Sequence, residues 1–249
     1  MTRIVAFFAH PDDETMLAGG ILAHLAQAGV EVHYVCATRG EGGETGEPPV
    51  CEIPELGDVR EQELVKAVGA LGGRSLTFLG HVDPRVGSDD ELFAFTEDIT
   101  RLAGQVAASI RQFEAQALVT HGSNGEYGHP AHVLCHQAGL AAALSFEDNA
   151  PHLYTFSAMF DDHPYPRLAN ADDPADWIVE IEDQALEAKT KAALAHVSQN
   201  ALFVRRPSEK SGRQLSVADV MLRREGLRRI LPDGPVQADE VIGPYLTQN

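Results

Sequence analysis

In the stretch FFAHPDDETMLAGG an apolar run gives way to His10, Pro11, Asp12, Asp13 and Glu14 before the chain turns apolar again. Three carboxylates and an imidazole in one turn invite three chemical readings. A phosphate cradle is disfavoured, because such turns need small residues and free backbone donors, whereas three acids repel phosphate. Helix capping accounts for one or two acids, each worth about 0.3–1 kcal/mol against the helix dipole, but leaves His10 unexplained. A divalent cation accounts for the whole cluster, since its charge neutralises carboxylates that otherwise repel one another. On that reading His10 and Asp13 share one ion, and Asp12, pointing differently between them, is free to act as a base.

Such a site needs a further ligand from another loop. The stretch THGSNGEYGHPAHVLCHQAG offers His121, His129, His132 and His136. Pro130 suits a first helical position, which puts His132 in the first turn, His136 one turn on, and His129 just ahead of the helix. A His/Asp/His set leaves one coordination position open for water, the arrangement of catalytic zinc, although Fe²⁺ and Ni²⁺ accept similar donors. A His132–His136 couple at i,i+4 is a second arrangement, ranked lower because a second helical His more commonly packs or supports a ligand.

The elements that must position these residues follow from hydrophobic periodicity. Strands are expected at Ile4–Phe8, Val30–Cys36, Leu76–Leu79 and Ala117–Thr120. Helices are expected at Glu14–Ala28, Val59–Leu71, Leu92–Phe113 and Pro130–Leu144. Strand–helix alternation with short connections predicts an α/β fold, a Rossmann-like and mostly parallel sheet flanked by helices. Ligands in such sheets collect at the carboxyl ends of strands, which brings together the loops 10–14, 38–46 and 121–129. The strand order is not legible. Beyond residue 150 a strand-like Leu153–Met159, a Pro/Asp-rich stretch Asp161–Asp176, another strand and a helix Ala185–His196 read as an irregular flank of the active site. The expectation is one domain over residues 1–249, with a core at 1–150 and the flank at 151–249.

Composition narrows the partners. Thirty-seven acids against nineteen bases give a formal charge of −18, a field that repels phosphate backbones and anionic lipid. Nucleic acid and membrane insertion are therefore not expected, and a homo-oligomer is left open. A local basic patch, for instance around Arg205, Arg206, Lys210 and Arg213, has no interleaved aromatics and reads as a solvated loop. Loop acids such as Glu41 and Glu44 likewise read as solvated. No signal-peptide pattern or membrane-length apolar run is present. Cys36, Cys51 and Cys135 form no CxxC pair and leave an odd count, which favours a reducing cytoplasm over a disulfide framework.

The two motifs resemble signatures of the PIG-L/LmbE-like family of zinc-dependent N-acetylglucosaminyl de-N-acetylases: HPDDE at His10–Glu14, and YGHPDH at Tyr127–His132. Weaker echoes are TRGEGG at Thr38–Gly43, REQE at Arg60–Glu63 and AHVSQN at Ala195–Asn200. That family includes enzymes acting on GlcNAc-phosphatidylinositol and on the GlcNAc conjugates of mycothiol and bacillithiol synthesis. The resemblance implies a zinc-dependent N-deacetylase, one Zn²⁺ per chain, acting on a small-molecule amino-sugar substrate. It implies His10, Asp13 and His132 as ligands and Asp12 as the general base. His129 becomes the cation that stabilises the oxyanion, with Tyr127 as a further donor. Arg60 matches a position that meets sugar hydroxyls or phosphate, its alternative being a surface arginine paired with Glu63. Position 131 departs from the family pattern, carrying Ala instead of Asp. Without that acid, His129 holds its proton less firmly unless a carboxylate from elsewhere substitutes. Two rivals stand beside this reading: a metal-dependent hydrolase of another bond, such as a phosphoesterase, and a sugar-binding homologue without turnover. His121, His136 and His196 have no role assigned at this stage.

Overall fold

The first strand, β1 (Arg3–Phe8), is buried throughout from Ile4 to Phe8, as a central parallel strand covered on both faces must be. It leads into α1 (Asp13–Gln27), β2 (Glu31–Thr38), α2 (Leu56–Ala70), β3 (Ser75–His81), α3 (Ile99–Phe113) and β4 (Ala117–Thr120). A single turn, α4 (Gly125–Gly128), precedes α5 (Pro130–Leu144). Then come β5 (His152–Phe156), β6 (Ala158–Met159), β7 (Asn170–Pro174), β8 (Trp177–Glu180), α6 (Asp183–Ala195), α7 (Asn200–Ser211), β9 (Arg224–Leu231) and α8 (Gly243–Leu246). This computed structural model describes residues 1–236, 239 and 241–246.

Seven strands form one sheet in the order β3-β2-β1-β4-β5-β9-β8. The first five run parallel, and β9 and β8 close the edge antiparallel. Alternation along β1 sends Ile4, Ala6 and Phe8 into one core with α1, α2 and α6, while Val5, Phe7 and Ala9 meet α3 and α5 on the other face. The order reverses between β1 and β4, and a crevice opens outside the carboxyl ends of strands at such a switch point. The two motif-bearing loops leave the sheet there.

Three expectations need correction. The helix expected from Leu92 begins only at Ile99, because Asp98 caps it by accepting the Arg101 amide at 2.9 Å. The strand expected over Leu153–Met159 breaks at Ser157, which has a φ of 56°, and its end pairs with β7 in a separate two-stranded sheet. The basic cluster is helical: Arg205, Arg206 and Lys210 lie on α7, and Arg205 grips Glu44 at 2.8 and 2.7 Å and Glu47 at 2.9 Å. Glu44 is thus a clasp between a loop and α7. The three cysteines are free. Among the described residues no helix is long and apolar enough to cross a membrane.

Candidate metal centre

The acidic turn is built from backbone outward. Asp12 takes φ 112° at the N-cap of α1, a conformation that a residue with a Cβ holds only when its surroundings fix it. Glu14 does so by accepting the Asp12 amide at 2.9 Å, and His196 Nε2 lies 2.8 Å from the other Glu14 oxygen. Arg60 closes the opposite side. It is only 3% exposed, donates to the carbonyls of Gly40, at 2.9 Å, and Pro11, and its Nη2 lies 3.4 Å from Asp12 Oδ2. A Cβ on Gly40 or Gly43 would sit 2.3 Å from the guanidinium, so these glycines of the TRGEGG stretch let the loop lie against Arg60. Arg60 is not a surface residue paired with Glu63, whose carboxylate is occupied by the amide and hydroxyl of Ser198 at 2.8 and 2.7 Å.

His10 and Asp13 turn inward. Asp13 Oδ2 accepts the His10 amide at 2.9 Å and lies 3.4 Å from His10 Nδ1, while Oδ1 lies 3.3 Å from His132 Nε2. His129 and His132 stack at 4.5 Å between ring centroids, and His121 stacks on the other face of His132 at 4.0 Å. Tyr127 stands edge-on to both His129 and His132 and is 43% exposed at the rim.

Sequence reading missed two acids. Asp83, from the loop after β3, places Oδ1 3.2 Å from His10 Nε2 and is anchored by the Gly42 amide at 3.3 Å; its own amide is held by Glu41 at 3.1 Å, so Glu41 is not simply solvated. Glu126 bridges His121 Nδ1, at 3.1 Å, and His132 Nδ1, at 2.7 Å. The signal for Glu126 was its place inside the histidine-rich stretch; Asp83 had none beyond following a strand. His136 donates to the His121 carbonyl at 3.0 Å, and among the described residues it belongs to no group of candidate ligand atoms within 4.8 Å of one another, which speaks against the His132–His136 couple.

Among the described residues, two three-residue groups have ligand atoms within 4.8 Å of one another: His10, His129 and His132, and Asp13, His121 and His132. His121 drops out as a donor because its Nε2 accepts the Ala9 amide at 3.1 Å. The remaining atoms suit a cation on three grounds. His132 Nε2 is buried with no hydrogen-bond partner, an arrangement folded proteins rarely leave without a use. The 3.3 Å between Asp13 Oδ1 and His132 Nε2 matches the roughly 3.3 Å between two donors on a tetrahedral ion with bonds of about 2.0–2.1 Å, and His10 Nδ1 lies 3.4 Å from the other oxygen of the same carboxylate. Charge points the same way. Burial disfavours protonation of His10, yet Asp83 and Asp13 raise its pKa to about 9, so the pocket asks for positive charge.

His129 departs from expectation. Burial, then His132 and His10, push its pKa down to about 3, and no carboxylate contacts it among the described residues. Its Nδ1 accepts the Ala131 amide at 3.2 Å, so the neutral ring carries its proton on Nε2. With Ala at position 131 the helix supplies no acid beside this ring, and the direction of the shift favours its neutral form.

Residues 5–143 match the PIG-L family, described as GlcNAc-PI de-N-acetylase. This chain belongs to that family. The 1D-myo-inositol 2-acetamido-2-deoxy-alpha-D-glucopyranoside deacetylase of Mycobacterium sp. (strain KMS) is 32% identical over 230 residues, covering 79% of this chain and 74% of its own. The Corynebacterium glutamicum (strain R) protein of the same name is 29% identical over 217 residues, with the same coverage of 79% and 74%. Among solved structures, the N,N'-diacetylchitobiose deacetylase of Pyrococcus horikoshii superposes with a TM-score of 0.60 at 20% identity, over 92% of this chain and 84% of its own. GalB, the 4-carboxy-2-hydroxymuconate hydratase of Pseudomonas putida KT2440, reaches 0.57 at 19%, over 94% and 98%. At such identities the structural likeness speaks for the fold, which a deacetylase and a hydratase share; family membership rests on the PIG-L match and the closer relatives in sequence.

Proposed function

We propose that this PIG-L family member is a zinc-dependent hydrolase that removes the N-acetyl group from an N-acetylglucosamine-type sugar or sugar conjugate. One observation carries the metal reading: the unpartnered His132 Nε2, buried and facing Asp13. His10, Asp13 and His132 would hold the ion, and their N, O, N donor set favours zinc. A divalent cation so held polarises a carbonyl and lowers the pKa of water toward about 7.

The chain's own residues supply the rest. Asp12 is the general base: burial, with Asp13 and Glu14 adding, raises its pKa to about 6 against the pull of Arg60 and His196. A carboxylate tuned toward neutrality takes a proton from water and returns it to a leaving amine more readily than an ordinary one. His129, through Nε2–H, donates to the carbonyl oxygen as negative charge develops there; one such donor is worth about 2.7–4 kcal/mol. Tyr127 is a second donor at the rim. Arg60 stands beside the base, its Nη2 3.4 Å from Asp12 Oδ2, and the reading keeps it as the residue that meets a sugar hydroxyl or phosphate. The same reading takes residues 1–249 as one domain, supported by the ties of His196 and Ser198 to Glu14 and Glu63. It also places the protein in the cytoplasm, supported by its free cysteines.

The test is a panel of N-acetylated sugars, including a GlcNAc–inositol conjugate and diacetylchitobiose, incubated with metal-reconstituted protein and scored for free amine and acetate. Equimolar release from at least one member is expected. Metal-loaded protein that binds these sugars without releasing acetate would replace the enzyme with a sugar-binding homologue.

A further inference from the structure

The connection between β4 and α5 buries a carboxylate that the mechanism above does not use. Glu126 has a side chain with no exposure to solvent. Its Oε2 lies 2.7 Å from His132 Nδ1 and 3.1 Å from His121 Nδ1, and its Oε1 accepts the Gly122 amide at 2.8 Å. The residue holds φ 59° and ψ −77°, near the γ-turn geometry that is rare and strained for a residue with a Cβ. Nothing in local propensity favours that backbone; three hydrogen bonds to one carboxylate do.

The proton positions follow from partners. His121 Nε2 accepts the Ala9 amide, so its proton sits on Nδ1 and points at Glu126. An ionised carboxylate only accepts, so His132 also carries its proton on Nδ1. In the neutral ring that leaves a lone pair on His132 Nε2, the atom found buried without a hydrogen-bond partner. The helix brings no acid of its own to this side, because position 131 is a fully buried Ala.

We propose that Glu126 is a positioning residue: it locks His132 in the Nδ1–H tautomer, so that Nε2 offers its lone pair to the cation. Through His121 it also ties that imidazole to the end of β1, next to His10. This rests on the reading of His132 as a ligand. Glu126→Gln separates the role from shape. An amide has one accepting end and one donating end. If its oxygen serves the imidazoles, its NH₂ confronts the Gly122 amide. If its NH₂ faces the imidazoles, both rings must present lone pairs there, and the His132 proton moves to Nε2.

The experiment is a long-range ¹H–¹⁵N correlation spectrum of the metal-free protein, which reports which ring nitrogen of His132 is protonated, paired with Zn²⁺ affinity by competition with a chromophoric chelator. Wild type should show Nδ1 protonated. Glu126→Gln should shift the proton toward Nε2 and weaken Zn²⁺ binding 10–100-fold, the usual range for loss of a carboxylate behind a ligand. A wild-type His132 whose proton sits on Nε2 with Nδ1 bare overturns the proposal even if the variant fails to fold. So does a folded Gln variant that binds Zn²⁺ within twofold of wild type. Wild type that takes up no Zn²⁺ would instead overturn the metal reading itself.

Discussion

At the carboxyl ends of β1 and β4, imidazoles and carboxylates gather around an atom with no partner, whereas at the amino end of β5 a second buried network closes on itself. There His152 opens the strand beside Ala117, the first residue of β4. Its Nδ1 lies 2.9 Å from the Tyr154 hydroxyl, which donates to Asp239. Asp239 accepts the amides of Val241, Ile242 and Gly243 at 3.0 to 3.2 Å, and Arg229 completes its shell at 3.5 Å. Every oxygen of that carboxylate is spoken for. Both networks are buried, yet only the first leaves an imidazole nitrogen, His132 Nε2, without a hydrogen-bond partner. Buried polar groups are almost always satisfied. A closed network therefore holds the chain together, and an open one waits for something to enter.

That contrast can be broken most decisively at Asp12. Asp12→Ala should lower turnover about 10²–10⁴-fold, while zinc per chain measured by atomic absorption stays unchanged. Activity retained within a few-fold would remove the base assignment, and loss of zinc together with activity would make Asp12 a ligand.

At the closed network the expected cost is in stability. Asp239→Ala leaves Arg229 and the Tyr154 hydroxyl without their acceptor, and should lower unfolding free energy by about 3–5 kcal/mol in urea titration, with turnover per folded molecule unchanged. The pH dependence has a definite sign. Burial alone would raise the Asp239 pKa, but the Tyr154 hydroxyl and the amides of Gly243 and Val241 hold it below its ordinary value. Its contribution is thus present above about pH 4 and fades as pH falls through the folded value. The variant should lose that acid limb.

The smallest effect on stability is that of metal removal. A cation present at 100 times its dissociation constant stabilises the fold by about 2.7 kcal/mol, and chelation should subtract that amount. Because the two networks share no residue, the loss should add to that of Asp239→Ala within about 0.3–0.5 kcal/mol. Strong non-additivity would show that the two ends of the sheet are coupled.

The two ends differ in how they appear in sequence. β1, α1, β4 and α5 were legible because continuous apolar runs meet an abrupt change of chemistry, at His10 and again at His121. The same change of chemistry marks His10, Asp13 and His132, whose side chains lie 3.4 and 3.3 Å apart across Asp13. Asp83 was not legible, because only the packing of the loop after β3 carries it two strands across to His10. Glu126 was hidden by its backbone: a γ-turn leaves no pattern in a single sequence. His196 sits in a recognisable stretch, but its bond to Glu14 spans 182 positions. The late start of α3 was missed because Leu92, Phe93 and Phe95 extend the apolar rhythm past a cap that only Asp98 marks.

The tie between Glu14 and His196, and that between Glu63 and Ser198, carry a consequence for how this protein can be recombined. Residues 5–143 match the family, yet both acids find their counterparts outside that span. A chimera that grafts a foreign tail onto the front half would strand two buried carboxyl groups. The halves can be exchanged only as a matched set, and the histidine near position 196 is the key that must travel with the lock.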